Sequence, residues 1–332
     1  MYVSRIKVAG LRCFSGPRAV DLAVEPGPGW TVLAGPNGSG KSTLLRALAL
    51  ALGAHPPVDP AHWIADGSSR AEVDLPGAGR WSTDGPLRSP HAAARLLDAG
   101  RTAPDRLGAA TARLLEDGVL PDGWRVTDPD RALVAPPGGP ARPLADLGSG
   151  IAGLAAVVAA LAGDAAPTGP ADAGCTVPLR AVALIDDVDL HLHPRWQQQI
   201  GGWLTARFPE VQFLVATHSP YVCQAADPGT LVRLAGPAEA APPRVLDEDV
   251  HQRVLYGSGD DTALSELFGL PSAYSAAAEA ERQLLVRLER KLYAGRATSD
   301  ELDAYRRLGA KLNSSLAARA DELSARLLGE QP

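Results

Sequence analysis

The residues best equipped for chemistry form one run, Gly35-Pro36-Asn37-Gly38-Ser39-Gly40-Lys41-Ser42-Thr43. It satisfies every fixed position of G-x-x-x-x-G-K-[ST], whose glycines let backbone N–H groups converge on phosphate oxygens. A helix beginning at the end of the loop adds its partial positive charge at the same place. In this pattern Lys41 reaches the β- and γ-phosphates and the Ser42 hydroxyl is offered to Mg²⁺. The bland alternative is a Gly-rich turn before a helix, and the flanks argue against it. Trp30–Ala34 is a short apolar, β-prone run, and Leu44–Leu52 holds strong helix formers and stops at Gly53. Strand, loop and helix together imply a nucleoside triphosphate site.

Phosphoryl transfer asks a protein mainly to position phosphates, a metal ion and a water. Ala181–Ile185 is a continuous apolar run, as in a buried parallel strand, and it ends in Asp186-Asp187. Asp186 is expected to hold Mg²⁺ through its water shell, and Asp187 to orient the attacking water. Val211–Ala216 is a second such run and ends at Thr217-His218-Ser219-Pro220. The phosphate loop, Asp186 and His218 then all sit at strand C-terminal ends, where parallel sheets bind ligands.

The positioning elements read as an α/β fold with a mostly parallel sheet. Tyr2–Val8 and Ala19–Val24 alternate like strands, with Arg12 and Phe14 in the connection between them, read as a solvated turn or as a neighbour of the nucleotide. Arg70–Leu75 reads as a strand, Pro90–Ala99 and Pro104–Asp117 as short helices with Pro near the start, and Trp124–Val126 with Ala132–Val134 as a hairpin. The stretch 60–143 is therefore expected to form a short lid or arm between core segments 1–59 and 144–258. Leu147–Gly163 carries no charge, but its Leu-Gly-Ser-Gly start and alanines fit a buried glycine-led helix better than a membrane span. Asp164–Gly174 reads as a surface loop, and Trp196–Arg207 as a helix. Ala276–Leu292 and Ser299–Leu327 carry apolar residues at 3–4 spacing, so the tail, 259–332, reads as an antiparallel helical hairpin.

Composition sets limits. The chain has 332 residues, 45% hydrophobic and 21% charged, which is globular, and a formal charge of −6 argues against a broadly basic nucleic-acid coat. Three widely spaced cysteines give neither a disulfide framework nor a zinc cluster, and with no apolar leader the expected compartment is a reducing cytoplasm, without membrane attachment. For His191 and His193, packing is favoured over metal binding, because no third ligand is evident.

Leu184-Ile-Asp-Asp-Val-Asp-Leu-His-Leu-His-Pro-Arg-Trp-Gln-Gln198 and Phe208-Pro-Glu-Val-Gln-Phe-Leu-Val-Ala-Thr-His-Ser-Pro220 resemble the RecF/SMC/OLD branch of ABC-type ATPases. Within it, the chain is similar to bacterial AAA-type ATPases that read "LIDE-D-HLHP-WQ" and "THSP", the PtuA-like defence ATPases among them. The resemblance implies an ABC/SMC-type P-loop fold that uses ATP and Mg²⁺. It makes His218 a switch residue against the γ-phosphate and places Asp189 in the loop near a dimer seam. Leu147-Gly148-Ser149-Gly150-Ile151 falls where the family carries its signature, which faces the nucleotide of a second subunit in a head-to-tail homodimer. A separate nuclease or effector, and DNA, are the implied partners.

Three departures bear on turnover. Asp187 replaces a glutamate and is one methylene shorter. The signature has no glutamine and its serine is displaced, and no glutamine lies between Lys41 and Trp196 to serve the usual Q-loop. Slow hydrolysis is expected, with Lys41, Asp187 and His218 as its residues. An ATP-gated scaffold and an ABC-transporter subunit are the alternatives.

Overall fold

The computed structural model describes residues 2–54, 59, 62–83, 85–88, 94–100, 102–163, 168, 174–225 and 229–312. The chain divides into two units, Met1–Gly269 and Leu270–Pro332.

In the first unit, β1 (Arg5–Ala9) and β2 (Val20–Ala23) pair antiparallel, with Ile6, Val8, Val20 and Leu22 buried between exposed Arg5, Lys7 and Asp21. β3 (Gly29–Ala34) runs into the phosphate loop and α1 (Lys41–Ala51). β4 (Glu72–Leu75), β5 (Gly79–Ser82) and β6 (Gly85–Arg88) extend the first pair into a sheet of order β2-β1-β4-β5-β6. β7 (Ala94–Asp98) crosses to the central sheet, and α2 (Ala109–Leu114) follows. β8 (Arg125–Asp128), β9 (Leu133–Ala135) and β10 (Arg142–Pro143) form a small antiparallel sheet. Next come α3 (Ser149–Ala162), β11 (Ala181–Asp186), α4 (Pro194–Arg207), β12 (Val211–Thr217) and α5 (Pro220–Gln224). β13 (Gly229–Arg233), β14 (Arg244–Val245), α6 (Glu248–Tyr256) and α7 (Gly259–Leu264) complete the unit.

The central sheet has the order β14-β13-β3-β12-β11-β7. β13, β3, β12, β11 and β7 run parallel, and β14 closes one edge antiparallel. The central strands β3, β12 and β11 are buried along almost their whole length because both faces are covered, as parallel sheets require. Alternate residues feed opposite cores: Ala183, Ile185, Phe213 and Val215 pack with α3 and α4 residues. Val182, Leu184, Leu214 and Ala216 pack with α1 and the antiparallel sheet. The uncharged stretch from Leu147 is the glycine-led α3, buried along Ala152–Ala155 and Val157–Val158. Among the described residues, no helix is long and apolar enough to cross a membrane.

Two expectations need correction. Within Pro90–Ala99, read as a helix, Ala94–Asp98 is a strand, and Pro90 itself lies outside the described residues. Pairing with β11, from Val182↔Ala94 to Asp186↔Asp98, overrides the helix preference of Ala-Arg-Leu-Leu. The stretch 60–143, read as a lid or arm, contributes β4–β6 to one sheet and β7 to the other. The helix read over Pro104–Asp117 is shorter, Ala109–Leu114, followed by a wide turn to Val119 that Gly118 breaks at φ 106°. Most of the Asp164–Gly174 loop lies outside the described residues.

In the second unit, α8 (Ala276–Tyr293) and α9 (Ser299–Leu312) lie antiparallel. Lys291 pairs with Glu301 beside the turn and Lys311 with Glu281 at the far end. The remainder of the helix read to Leu327 is outside the described residues.

Candidate nucleotide site

The phosphate loop is seated on the β1–β2 connection. Gly40 has φ 101°, and a Cβ there would lie 2.6 Å from Cys13 Sγ and 2.7 Å from Phe14 Cζ. Only glycine allows this approach. Of the connection read as a solvated turn or as a neighbour of the nucleotide, Phe14 is fully buried while Arg12 lines the cleft. Arg18, from the same connection, donates to the carbonyls of Cys13 (3.2 Å), Ser39 (3.2 Å), Ala235 (3.1 Å) and Glu239 (3.0 Å). It also donates to Gly236. One guanidinium therefore ties the loop to the connection before it and to the chain after β13. Glu239 answers from that side, accepting from Gly236 N at 3.0 Å and Arg233 at 2.7 Å, and these bonds hold its carboxyl below the ordinary range. Arg18 belongs to no sequence pattern, because its partners are backbone carbonyls and most of them are distant in the chain.

Lys41 is 5% exposed and its Nζ donates to Gly35 O at 2.9 Å and Pro36 O at 3.2 Å. Burial lowers its pKa, against the pull of the Asp187, Asp186 and Asp189 charges. Ser42 Oγ donates to Asp186 Oδ1 at 2.9 Å, joining residues far apart in sequence. Asp186 is 9% exposed, and burial raises its pKa more than the Ser42 hydrogen bond lowers it. A hydroxyl and a buried, incompletely compensated carboxylate make the hard oxygen donor set that suits Mg²⁺.

Asn37, Gly38, Gly40, Thr43, Lys41 and Ser42 line an open cleft of about 500 Å³ that Arg12, Cys13, Asp187 and His218 share. Ser39 is buried beneath it. Asp187 stands at φ 49°, left-handed backbone that a short polar side chain tolerates, and its carbonyl accepts from Leu190 N at 2.8 Å. That tight turn brings Asp187 to the cleft. Burial and the Lys41 charge lower the pKa of His218, while Asp187, Asp189 and Asp186 act the other way. Arg12 also has left-handed backbone, with its guanidinium 4.5 Å from the Trp63 ring centre.

Asp189 is elsewhere. Its Oδ1 accepts from Thr217 Oγ1 and, at 3.2 Å, from His218 N, so it braces the switch segment within its own chain. Gly148, Ser149 and Gly150 are not brought to this phosphate loop either. They line a second cavity of about 580 Å³ with His191, His193 and Trp196. A Cβ on Gly150 would lie 2.4 Å from His191 O, so the start of α3 rests directly on the turn after β11. His191 and His193, for which packing was favoured, are exposed, and His193 Nδ1 accepts from Arg195 N at 3.2 Å at the start of α4. Asp98 ends β7 in register with Asp186, with its Oδ1 accepting from Gly100 N at 2.8 Å. A larger cavity, about 830 Å³ between α6 and α7, contains none of these residues.

A family model described as "AAA domain" matches residues 5–76. A second, "AAA domain, putative AbiEii toxin, Type IV TA system", matches 79–224. Between them they take in the phosphate loop, Asp186, Asp187 and His218. By these two matches the chain resembles AAA-type P-loop proteins along most of residues 5–224. It is 54% identical over 46 residues to "Retron Ec83 probable ATPase" of Escherichia coli, a match covering 14% of this chain and 8% of that one. It is 33% identical over 115 residues to "Septu protein PtuA" of Bacillus thuringiensis, covering 33% and 29%. The matches thus span less than a third of these relatives' lengths. Among solved structures, this chain is similar to "Crystal structure of the SmcHead bound to the C-winged helix domain of ScpA", at TM-score 0.49 and 15% identity over 74% of this chain and 97% of that one. A second is "SMC head domain from Thermotoga maritima", at TM-score 0.46 and 18% identity over 74% and 98%.

Proposed function

We propose that this chain binds ATP with Mg²⁺, hydrolyses it slowly, and uses ATP-dependent head-to-tail dimerisation to regulate DNA-related or antiphage-defence work by a separate nuclease or effector. The observation that carries the reading is the Ser42–Asp186 hydrogen bond at 2.9 Å beside Lys41, Asp187 and His218. Ser42 and Asp186 would hold Mg²⁺, which would supply positive charge to stabilise the charge developing on the phosphates. Lys41 turns from the loop carbonyls to the β- and γ-phosphates. His218 contacts the γ-phosphate, and Asp187 orients the attacking water.

The dimer reading is supported by Gly148–Gly150, which line a cavity apart from their own cleft and so suit the nucleotide of a second copy. The defence reading is supported by the segments shared with the retron and Septu proteins. A cytoplasmic setting fits both.

Steady-state phosphate release, with and without DNA, tests the enzyme reading. Wild type is expected to exceed Lys41→Ala in at least one condition. Equality in both leaves an ATP-gated scaffold, a reading that the short Asp187 and altered signature favour. Sedimentation with a non-hydrolysable ATP analogue tests closure, with a dimer expected for wild type and a monomer for Ser149→Arg. Copurification with a membrane permease would instead support a transporter subunit.

A further inference from the structure

Two short segments meet beside the nucleotide cleft: the turn Asp187–Leu192, which also lines the second cavity, and the segment Thr217–Ser219, which brings His218 to the cleft. They are fastened together on two sides. On one, the Asp189 carboxylate takes Thr217 Oγ1 and His218 N. On the other stands Gln197 of α4, which lines neither cavity. Its Nε2 donates to Leu192 O at 2.9 Å and toward Asp189 O at 3.4 Å, while its Oε1 accepts from Ser219 Oγ at 2.7 Å. Ser219 Oγ in turn accepts from Tyr221 N at 3.1 Å and Val222 N at 3.4 Å, so the start of α5 hangs on the same contact.

We propose that Gln197 is a positioning residue for His218: its amide clamps the Asp189–Leu192 turn to Ser219 and so fixes where the imidazole stands in the nucleotide cleft. The inference rests on the ATP-site reading above. A glutamine suits the place because it must donate at one end and accept at the other. A glutamate would turn a carboxylate toward the Leu192 and Asp189 carbonyls, and a shorter asparagine would not span the two segments. Because Leu192 also lines the second cavity, the clamp fixes part of that wall too.

The test is Gln197→Met in the full chain, which keeps the shape and removes both hydrogen-bonding ends. The expected result is kcat lower by about tenfold with KM for ATP within about twofold of wild type, as for a group needed to place a reacting residue. In a His218→Ala background the same change should add nothing, since the two act through one group. Independently of turnover, the ring NMR signal of His218, assigned by its loss in His218→Ala, should move in Gln197→Met while those of His62 and His251 stay. An unmoved His218 signal overturns the proposal, as does an equal loss of kcat with and without His218. If wild type fails to exceed Lys41→Ala, the hydrolysis reading fails, and the ring signal still decides the clamp.

Discussion

Around the phosphate loop, three side chains that shape the cleft find partners inside the chain, while the buried Ser39 hydroxyl has none among the described residues. Lys41 holds Gly35 and Pro36, Ser42 holds Asp186, and Arg18 gathers carbonyls from three segments. Beside Gly148 the construction is different. His191, His193 and Arg195 are exposed, while α3, like α1, begins without a side-chain cap. Unfilled N–H groups at a helix start attract an anion or another acceptor. The contrast is between a region shaped by its own chain and an open surface that would be left to the proposed second copy.

The sharpest way to break this comparison is Asp186→Asn. Phosphate release should fall to background, while the nucleotide-free protein should melt a few degrees higher. The sign follows from the raised pKa: Asp186 favours folding when protonated, and that advantage is lost as pH rises through its folded value. At neutral pH the buried charge therefore costs stability, and asparagine removes it. A lower melting temperature in a thermal scan would contradict the burial argument.

Gly150→Ala addresses the other region. Its new Cβ meets His191 O at 2.4 Å, which shifts α3 against the turn. ATP affinity in a filter-binding or fluorescence titration should stay within about threefold, a loss well below 1.4 kcal/mol, while analogue-induced dimerisation is lost. Equal loss of both would mean that the two regions are not separable.

Arg18→Ala should cost about 3 kcal/mol in denaturant unfolding, since several buried carbonyls lose one donor. It should also weaken ATP binding, as the loop loses its tie to Ala235 and Gly236. A stability loss with unchanged affinity would show that the loop holds its shape without the arginine. The smallest effect is expected for Asp187→Glu. Turnover should rise as the carboxylate reaches further, with a stability cost of about 1 kcal/mol for a longer side chain on left-handed backbone.

What was legible in advance was local. β3, the phosphate loop and α1 are consecutive, and the unbroken apolar runs of β11 and β12 leave few options besides buried parallel strands. β7 was not legible, because Ala94-Arg-Leu-Leu-Asp98 has no strand pattern of its own and takes its state from β11. The lid expectation failed for the same reason: β4 to β6 are short, and their partner β1 lies far back in the chain. At the site, Lys41, Ser42, Asp187 and His218 share one cleft and Asp186 bonds Ser42. Arg18 left no trace because its partners are carbonyl oxygens, which every residue has. The turn of Asp189 into its own chain depends on Thr217 and His218, nearly thirty residues later.

The strand order carries a consequence for how the molecule is made. β3 lies between β12 and β13, so both neighbours of the phosphate-loop strand are synthesised long after it. A nascent chain that has emerged only as far as α3 holds a complete G-x-x-x-x-G-K-S sequence on a strand with neither flank. Asp186, His218 and the carbonyls gripped by Arg18 are still to come. The proposed nucleotide site can therefore form only after the segment following β13 has been made, and a chain interrupted before β13 would display the loop without a site.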